Sequence, residues 1–357
     1  MIKILHSADW HLDSPLQGHS DAQKEYLRQA LLSVPGKVAS VCRNEKCDLV
    51  LLSGDLFDGA YTRESYYAVK NALEEMAVPV VITPGNHDFL SATSPWLRET
   101  WPENVHIFTR NAIESFAIPE LNCRIYGAGY TAMDCENLLE DFHAEGKEKY
   151  HIGVLHADPV TTGAPYCPIT KRQIESSGLT YLALGHIHKA GSLRAGDTLC
   201  LWPGCPMGRG YDEEGEKGVT LLTLDDTLTH RFLPLSTPRF YDLELEAGDD
   251  AAAALDRVLP PAGSSDFYRI TLTGPSQKPD LAALTREFSR FPNLVLRDNT
   301  QPPLDIWGSA GEDSLEGTYF KLLQQQLEGA DEDQHRKILL AAKISRQILN
   351  GQEVKLL

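Results

Sequence analysis

One pattern occurs five times in this chain: an apolar, strand-like run ends in small residues and then in aspartate, histidine or asparagine. The five stretches are residues 2–11, 48–58, 78–88, 151–158 and 181–188. Their last positions carry side chains that bind metals or transfer protons, namely Asp9, His11, Asp55, Asn86, His87, Asp88, His156, His186 and His188. Parallel strands of an α/β protein place their carboxyl ends along one edge of the sheet, where such folds bind ligands. The sequence therefore predicts an α/β fold in which these side chains meet at one site.

The length and charge of the chain limit its architecture and its partners. At 357 residues the chain exceeds the size at which a single core stops growing, so we expect one large domain with one or two smaller ones. The chain has 33 basic and 50 acidic residues, which gives a net charge of -17. This charge disfavours loose electrostatic attachment to nucleic acid or anionic lipid. Any phosphate substrate must therefore be attracted by local groups.

The cysteines and the apolar segments indicate a cytoplasmic protein. The seven cysteines are odd in number and include no C-x-x-C pair, so they indicate neither a disulfide framework nor a zinc knuckle. No run reaches the roughly 18 to 20 apolar residues that a membrane span needs. The amino terminus reaches Asp9 too soon for a signal peptide. We therefore expect reduced, structural cysteines and a cytoplasmic location.

The order of predicted elements divides the chain into three parts. Strand and helix patterns alternate through about residue 235, with a helical stretch over 21–47 that is interrupted at Pro35, and this predicts a layered α/β domain. Residues 240–297 read as strand, helix, strand, helix, strand, which predicts a small α+β domain. A linker that contains Pro302 and Pro303 leads to two amphipathic helices. We place the three parts at 1–238, 239–303 and 304–357.

The predicted site has the side chains of a two-metal centre. Asp9 and His11 are separated by one residue, so in extended backbone they would face one cation, and the two histidines of the last stretch have the same spacing. Asp55 could bridge two cations with its two oxygens, and Asn86 adds a neutral carbonyl ligand. Two carboxylates, one amide and four imidazoles suit manganese, iron or zinc better than magnesium or calcium. The number of ligands indicates two ions.

Each motif also has an ordinary structural explanation when it is taken alone. Asp55 could cap a helix that follows it, because aspartate is a favoured cap residue. The segment Gly85-Asn86-His87-Asp88 could be a turn, because glycine and asparagine tolerate positive φ. These explanations do not account for five such motifs at five strand ends. The joint pattern therefore favours a metal site.

The five motifs together resemble those of the calcineurin-like metallophosphoesterases. The family pattern reads D-x-H, G-D, G-N-H-D, a histidine after an apolar strand, and G-H-x-H. This chain has these motifs at residues 9–11, 54–55, 85–88, 156 and 185–188. The sequence around them is most similar to the SbcD-like DNA-repair nucleases, and residues 12–16 are most similar to the YhaO branch of that group. The resemblance implies an αββα sandwich, a small α+β capping domain and a C-terminal helical tail.

The resemblance also implies a role for each residue of the site. The first metal would be held by Asp9, His11, Asp55 and His188, and the second by Asp55, Asn86, His156 and His186. Manganese is the expected ion, with iron or zinc as alternatives. His87 would stabilise the developing charge or protonate the leaving oxygen, and Asp88 would orient His87. Archaeal and eukaryotic relatives have a histidine three residues after the bridging aspartate, where this chain has Asp58 as bacterial relatives do.

The function that the resemblance implies is that of a manganese-dependent DNA exonuclease or endonuclease. Such an enzyme would act in DNA repair with an SMC-like coiled-coil ATPase, and homodimer formation is compatible with it. Two alternatives stay open: a phosphodiesterase for small cyclic nucleotides or other diesters, and a subunit whose main task is to position a partner ATPase. The two terminal helices could fold back on the catalytic domain or bind the coiled coil.

Substrate-binding residues are not assigned from the sequence. Basic residues that could contact phosphate are scattered along the chain, at Arg63, Lys171, Arg172, Lys189, Arg194 and Arg209. Each of them is explained equally well as solvated surface. Tyr61 and Trp10 could stack on bases, although Trp10 fits a core position equally well. The sequence thus predicts the metal centre in more detail than the substrate.

Overall fold

Strands and helices alternate along the chain in the computed structural model, which describes residues 1–161, 163–225, 227–351 and 354. The strands are β1 (Ile2–Ser7), β2 (Leu49–Leu52), β3 (Val80–Ile82), β4 (Val105–Ile107), β5 (Glu114–Ile118), β6 (Cys123–Gly127), β7 (Tyr150–His156), β8 (Tyr181–Gly185), β9 (Gly191–Ala195), β10 (Thr198–Trp202), β11 (Gly218–Leu224), β12 (Leu228–Pro234), β13 (Phe240–Glu246), β14 (Phe267–Thr273) and β15 (Leu294–Asp298). The helices are α1 (Asp21–Leu32), α2 (Val34–Glu45), α3 (Arg63–Met76), α4 (Pro95–Arg98), α5 (Lys171–Ser176), α6 (Ala251–Val258), α7 (Leu281–Glu287), α8 (Leu315–Leu327) and α9 (Glu332–Leu349).

The first sheet has six strands in the order β12-β11-β1-β2-β3-β4. Strands β1 to β4 are parallel, and β11 and β12 extend the sheet in antiparallel fashion beside β1. The register pairs Ser7 with Leu52 and Leu52 with Ile82, so the carboxyl ends of β1, β2 and β3 are level. The segments that follow these three strands therefore emerge side by side at one edge of the sheet.

The second sheet also has six strands, in the order β5-β6-β7-β8-β10-β9. Strands β6, β7, β8 and β10 are parallel, while β5 and β9 are antiparallel edge strands. His156 at the end of β7 is in register with Gly185 at the end of β8. These two strand ends are consequently neighbours as well.

The two sheets pack face to face, and successive side chains along a strand point alternately toward the other sheet and toward the outer helices. On β1, Ile4 belongs to the core between the sheets together with Val154 of β7, whereas Leu5 faces the outer helices and packs in one cluster with Leu27 of α1. On β8, Leu184 faces the opposite side of the second sheet, in the cluster that includes Ile174 of α5. The layers are thus helix, sheet, sheet and helix, and the predicted α/β sandwich is confirmed.

Local sequence signals explain where the first helices begin and end. Ser20 and Thr62 cap α1 and α3 in capping boxes, in which the cap side chain and the side chain three residues later exchange hydrogen bonds with the backbone. The predicted interruption near Pro35 is confirmed. Helix α1 ends at Leu32, and Pro35 lies in the first turn of α2, where its missing N–H costs no hydrogen bond.

The chain divides into two compact units. The first consists of Met1–Asp242 with Ser265–Tyr268, and the second of Leu243–Ser264 with the described residues from Arg269 onward. Phe240 and Phe267 stack in the core of the first unit, with ring centroids 4.5 Å apart. The boundaries near 238 and 303 that the sequence suggests stay predictions.

The second unit contains α6, α7, β15 and the later parts of β13 and β14, followed by the predicted helical region. Helices α8 and α9 pack through Phe320 and Ala342, which are both fully buried. Arg346 of α9 lies over the Phe320 ring at 4.1 Å and forms an ion pair with Glu316. These contacts tie α8 and α9 into a helical hairpin.

The cysteines and the helices bear on the expectations of reduced cysteines and of no membrane span. All seven cysteines are free and buried. Among the described residues, no helix has the length and apolar character that crossing a membrane requires.

Candidate metal centre

Five segments from both sheets carry the predicted site residues. Those of the first sheet follow β1, β2 and β3, and those of the second sheet lie at the ends of β7 and β8. Backbone hydrogen bonds join the segments, because Asp9 N donates to Gly54 O at 3.0 Å and His11 N donates to Asp55 O at 3.0 Å. The two sheets are joined where His186 N donates to Asp9 Oδ1 at 2.9 Å. The predicted convergence of the strand ends is therefore seen in the structure.

The backbone of the site is left-handed rather than extended. Asp9, His11 and Asp55 have φ values of 55°, 47° and 53°, and His186 has a φ of 93°. The extended backbone expected for the D-x-H and H-x-H pairs is therefore corrected, although Asp9 and His11 still converge. Left-handed conformations of non-glycine residues cost about 1–3 kcal/mol each and persist where surrounding contacts enforce them. Here the backbone bonds between the segments supply those contacts.

The first group of converging ligand atoms comprises Asp9, His11 and His188, whose atoms lie within 4.8 Å of one another. His11 Nε2 is 3.1 Å from His188 Nε2 and 3.7 Å from Asp55 Oδ2. Two imidazole nitrogens and two carboxylates thus face the same small volume. These residues are the ones predicted to hold the first metal, and that assignment stays a prediction.

The second group is built around His156, which lies with Asp9 and Asp55 within the same 4.8 Å limit. His156 Nε2 is 3.2 Å from Asp55 Oδ2 and 2.9 Å from Asn86 Oδ1. Asn86 Oδ1 is also 3.3 Å from His186 Nδ1. Asp55 Oδ2 therefore lies near the imidazoles of both groups, as a bridging ligand requires.

One buried oxygen tests whether these residues fit a metal ion. Asp9 is 1% exposed, and its Oδ2 has no hydrogen-bond partner in the part of the chain that the structure describes. A buried carboxylate oxygen without a partner is costly, and a cation would satisfy it. The surrounding donors are imidazole nitrogens and carboxylate or amide oxygens, a mixture that suits manganese, iron or zinc. The residues therefore fit a divalent metal ion.

The buried charges shift one another's pKa values. Burial would raise the pKa of Asp55, but the nearby His156 and His11 hold it below its usual range. Burial would lower the pKa of His156, but Asp55 raises it to about 9. Burial, reinforced by the charge of His156, lowers the pKa of His186 to about 4. A cation bound here would compete with protons for these imidazoles, so we expect metal affinity to fall as the pH is lowered.

Hydrogen bonds at Nδ1 fix the orientation of two predicted ligands. His156 Nδ1 donates to the Ser53 carbonyl at 2.8 Å, and His188 Nδ1 donates to Glu213 Oε1 at 2.6 Å. Both rings therefore present an Nε2 lone pair to the centre, as metal-binding histidines commonly do. Arg209 Nη2 holds the same Glu213 oxygen at 2.6 Å. From the sequence, Arg209 is one of the residues that could contact phosphate. In the structure its guanidinium forms an ion pair with Glu213.

His87 lies beside the two groups of ligand atoms. Its hydrogen-bond partner is Asp58 rather than the predicted Asp88. Its Nδ1 is 2.6 Å from Asp58 Oδ1, and its side chain is 40% exposed. The hydrogen bond with Asp58 raises the pKa of His87 above its ordinary value. The backbone N–H of His87 donates to Asp55 Oδ1 at 2.8 Å. His87 is thus an accessible imidazole that a carboxylate holds next to the centre.

Asp88 does not orient His87, which corrects the expectation from the sequence. Its Oδ1 accepts from Gly85 N at 2.7 Å, and its Oδ2 accepts from Leu56 N at 2.8 Å. Asp88 therefore braces the segments after β2 and β3 against each other. Burial and the charge of Asp55 raise the pKa of Asp88 to about 7. Asp58 is the residue whose hydrogen bond orients His87. In the sequence, Asp58 is notable only because some relatives have a histidine at this position.

Two glycines allow the segments to approach this closely. A Cβ at Gly85 would overlap the carboxylate of Asp55, and a Cβ at Gly185 would overlap the carbonyl oxygen of Ser53. Gly185 ends β8 of the second sheet, while Ser53 follows β2 of the first. The missing side chain at Gly85 therefore lets the segments after β2 and β3 approach, and the missing side chain at Gly185 lets the two sheets approach at the site.

The fold and this centre define a class. Residues 2–190 match the calcineurin-like phosphoesterases, and the chain belongs to that family of phosphoester hydrolases. It is 33% identical over 236 residues to the uncharacterized metallophosphoesterase YhaO of Bacillus subtilis, a match that covers 62% of this chain and 57% of YhaO.

Two further relatives are SbcD subunits of the nuclease SbcCD. The chain is 26% identical over 263 residues to the SbcD subunit of Bacillus subtilis, covering 62% of this chain and 66% of that protein. It is 22% identical over 383 residues to the SbcD subunit of Staphylococcus epidermidis, covering 95% of this chain and 98% of that protein. The matches to the two Bacillus proteins thus span less than two thirds of those proteins.

Proposed function

We propose that the protein is a two-metal phosphodiesterase. The observation that carries this proposal is the buried Asp9 Oδ2, which lacks a protein partner among the described residues at the point where the imidazoles of both sheets converge. One ion would be held by Asp9, His11, Asp55 and His188, and the other by Asp55, Asn86, His156 and His186. When bound, such ions acidify a water molecule and withdraw charge from the phosphoryl oxygens.

His87 and Asp58 would carry the proton chemistry of this reaction. The hydrogen bond from His87 Nδ1 to Asp58 favours the protonated imidazole, which has a second N–H at Nε2. His87 would donate that proton to the leaving oxygen or stabilise the charge that develops on the phosphoryl group. Asp58 is a positioning residue in this scheme, since it acts through His87.

DNA is the substrate that we propose, with manganese as the metal. Support comes from the two relatives whose names describe nuclease subunits. The net charge of -17 favours the second candidate, a phosphodiesterase for small cyclic nucleotides or other diesters, because DNA binding relies on cationic surface. The two candidates predict different outcomes with the same preparation.

We expect the full chain to degrade labelled single- or double-stranded DNA in manganese and to be inactive after chelation. Cyclic nucleotides, tested in parallel by chromatography, should be hydrolysed far more slowly. Asp55→Asn protein purified in the same way is the control for a contaminating nuclease. Rapid turnover of cyclic nucleotides with intact DNA would favour the second candidate. Failure to hydrolyse any of these diesters would favour a mainly scaffolding subunit.

The helical hairpin α8–α9 is the surface that we propose for an SMC-like ATPase partner. Its apolar side chains include Leu315, Ile348 and Leu349, which are 89%, 61% and 54% exposed. Together with Tyr319 they line an open groove on the hairpin. Such an apolar stripe suits docking against a helix of a coiled coil. The name of the SbcCD subunits also indicates that those relatives work in an assembly.

Ile348→Lys combined with Leu349→Lys should reduce capture of a co-expressed cognate coiled-coil ATPase by about tenfold or more, because a charge in an apolar interface must be desolvated. Hydrolysis of a small diester should be retained, since both residues lie in the second unit. Arg336→Ala, at an exposed polar position of α9, is the matched control. Capture by the double variant at the control level would exclude this face as the docking surface.

A further inference from the structure

A cavity of about 390 Å³ opens beside His87 in the first unit. It is formed by the segment before α3 and by the segment that runs from the G-N-H-D motif into α4. Its polar and aromatic lining includes Tyr61, His87, Asp88, Phe89, Ser94 and Arg98, and both carboxylate oxygens of Asp88 accept from backbone N–H groups. This volume lies in the range of small-ligand pockets. His87 and Asp88 border the metal centre, whereas Tyr61, Phe89, Ser94 and Arg98 lie outside the proposed ligand sets.

Ser94 and Arg98 indicate that the ligand of this cavity is an anion. Ser94 is 5% exposed, and its Oγ has no hydrogen-bond partner in the described part of the chain. Arg98 lines the cavity, is exposed and forms no ion pair among the described residues, in a chain whose net charge is -17. Both residues line the cavity, and a guanidinium and a hydroxyl are donors that bind phosphate in proteins.

Tyr61 adds a flat apolar surface to the same cavity. Its hydroxyl donates to Glu99 Oε1 at 2.6 Å, and its ring contacts Phe57 with centroids 5.9 Å apart. The ring is therefore held in place before any ligand binds. Aromatic side chains of this kind stack on bases in proteins that bind single strands. Phosphate donors and a fixed aromatic ring together fit a nucleotide.

We propose that this cavity binds the nucleotide on the leaving-group side of the scissile phosphodiester. Arg98 and Ser94 would contact the phosphate of that nucleotide, and Tyr61 would stack on its base. The inference rests on the proposed function, because it takes His87 as the residue next to the leaving oxygen. It makes Arg98, Ser94 and Tyr61 specificity residues that favour nucleic acid over diesters without a second phosphate.

The test compares Arg98→Gln with Arg110→Gln in the full chain. Arg110 is 76% exposed and pairs with Glu114, so its loss controls for a change of net charge. Arg98→Gln should raise the KM for single-stranded DNA about tenfold, the size of a lost charge-assisted phosphate contact. The slope of log KM against log salt should fall by about 0.7, the amount expected for one phosphate contact on a single strand. Arg110→Gln should change neither quantity.

A small substrate and a ring-preserving variant complete the test. Bis(p-nitrophenyl) phosphate has no second phosphate. The factor by which Arg98→Gln raises the KM for this substrate should therefore be at least about fivefold smaller than the factor for DNA. Tyr61→Leu should raise the KM for DNA about tenfold, whereas Tyr61→Phe should not, because it keeps the stacking ring. Equal losses on both substrates, or an unchanged salt slope in Arg98→Gln, would overturn the proposal.

The cavity can also be tested if the protein does not cleave DNA. Deoxyadenosine monophosphate should inhibit hydrolysis of bis(p-nitrophenyl) phosphate, with an inhibition constant about tenfold higher in Arg98→Gln than in the wild type. Inhibition of this kind without DNA cleavage would support the nucleotide site and reject the DNA nuclease. Absence of inhibition, or an equal constant in both proteins, would reject the nucleotide site.

Discussion

Asp55→Asn is expected to lower phosphodiesterase activity more than about 1,000-fold. The metal ions of such a centre contribute several kcal/mol to transition-state stabilisation, and each 1.36 kcal/mol corresponds to a factor of ten in rate. Asp55 Oδ2 lies 3.2 Å from His156 Nε2 and 3.7 Å from His11 Nε2, so one substitution weakens both groups of ligands. Metal content, measured by mass spectrometry of the purified protein, should fall clearly below two ions per chain.

Asp48→Asn is the matched control for this experiment. Asp48 accepts a hydrogen bond from Lys3 N at 2.8 Å. It lies just before the start of β2, whereas Asp55 lies after the end of β2. Its substitution should leave activity and metal content near the wild-type level. A folded Asp55→Asn protein with two ions and normal turnover would show that Asp55 does not bridge the metals.

His87→Ala should reduce the rate about 100-fold, a usual effect of losing a general acid or a charge-stabilising group. Metal content should stay near that of the wild type, because His87 is outside both proposed ligand sets. The measurements are turnover of DNA and of a small diester, together with metal analysis. His230→Ala, at an exposed position of the edge strand β12, is the control. Loss of metal with only a small loss of rate would instead make His87 a ligand.

Asp58→Asn separates the two roles proposed for His87. The hydrogen bond with Asp58 raises the pKa of His87, so its removal should lower that pKa. If His87 acts as an acid, activity is lost as the pH rises through its pKa. The alkaline limb of the pH–rate profile should therefore move to lower pH in Asp58→Asn. An unmoved alkaline limb would favour electrostatic stabilisation over proton donation.

The convergence of the site could be predicted because it depends on sheet topology rather than on local detail. Once β1, β2 and β3 are parallel and level, the residues that follow Ser7, Leu52 and Ile82 must meet at one edge. Apolar strand-like runs in the sequence are sufficient to indicate this arrangement. The same reasoning predicted the helices over 21–47 and the break near Pro35.

The local backbone could not be predicted, because contacts between segments override residue preference. Asp9 and His11 have positive φ since hydrogen bonds to Gly54 and Asp55 hold them there. Those partners are more than 40 positions away in the sequence. An argument from the spacing of two residues cannot include such contacts.

The partners of the predicted ligands were missed for a related reason. Glu213 reaches His188 only because β9 and β10 return the chain to the site, and sequence adjacency gives no sign of this contact. For His87, the neighbouring Asp88 was the closer carboxylate in sequence, whereas Asp58 is the one in contact. Hydrogen-bond partners of a site residue thus depend on tertiary packing even when the site residue itself is evident.

Gly85 and Gly185 bear on how loss of activity would arise in evolution. Each leaves room for an atom from another segment, so a side chain at either position would separate the ligands without replacing any of them. A descendant protein could retain every metal-binding residue and still fail to assemble the centre. Catalytic decay in such a lineage can begin at a glycine, and a count of intact ligands would overlook it.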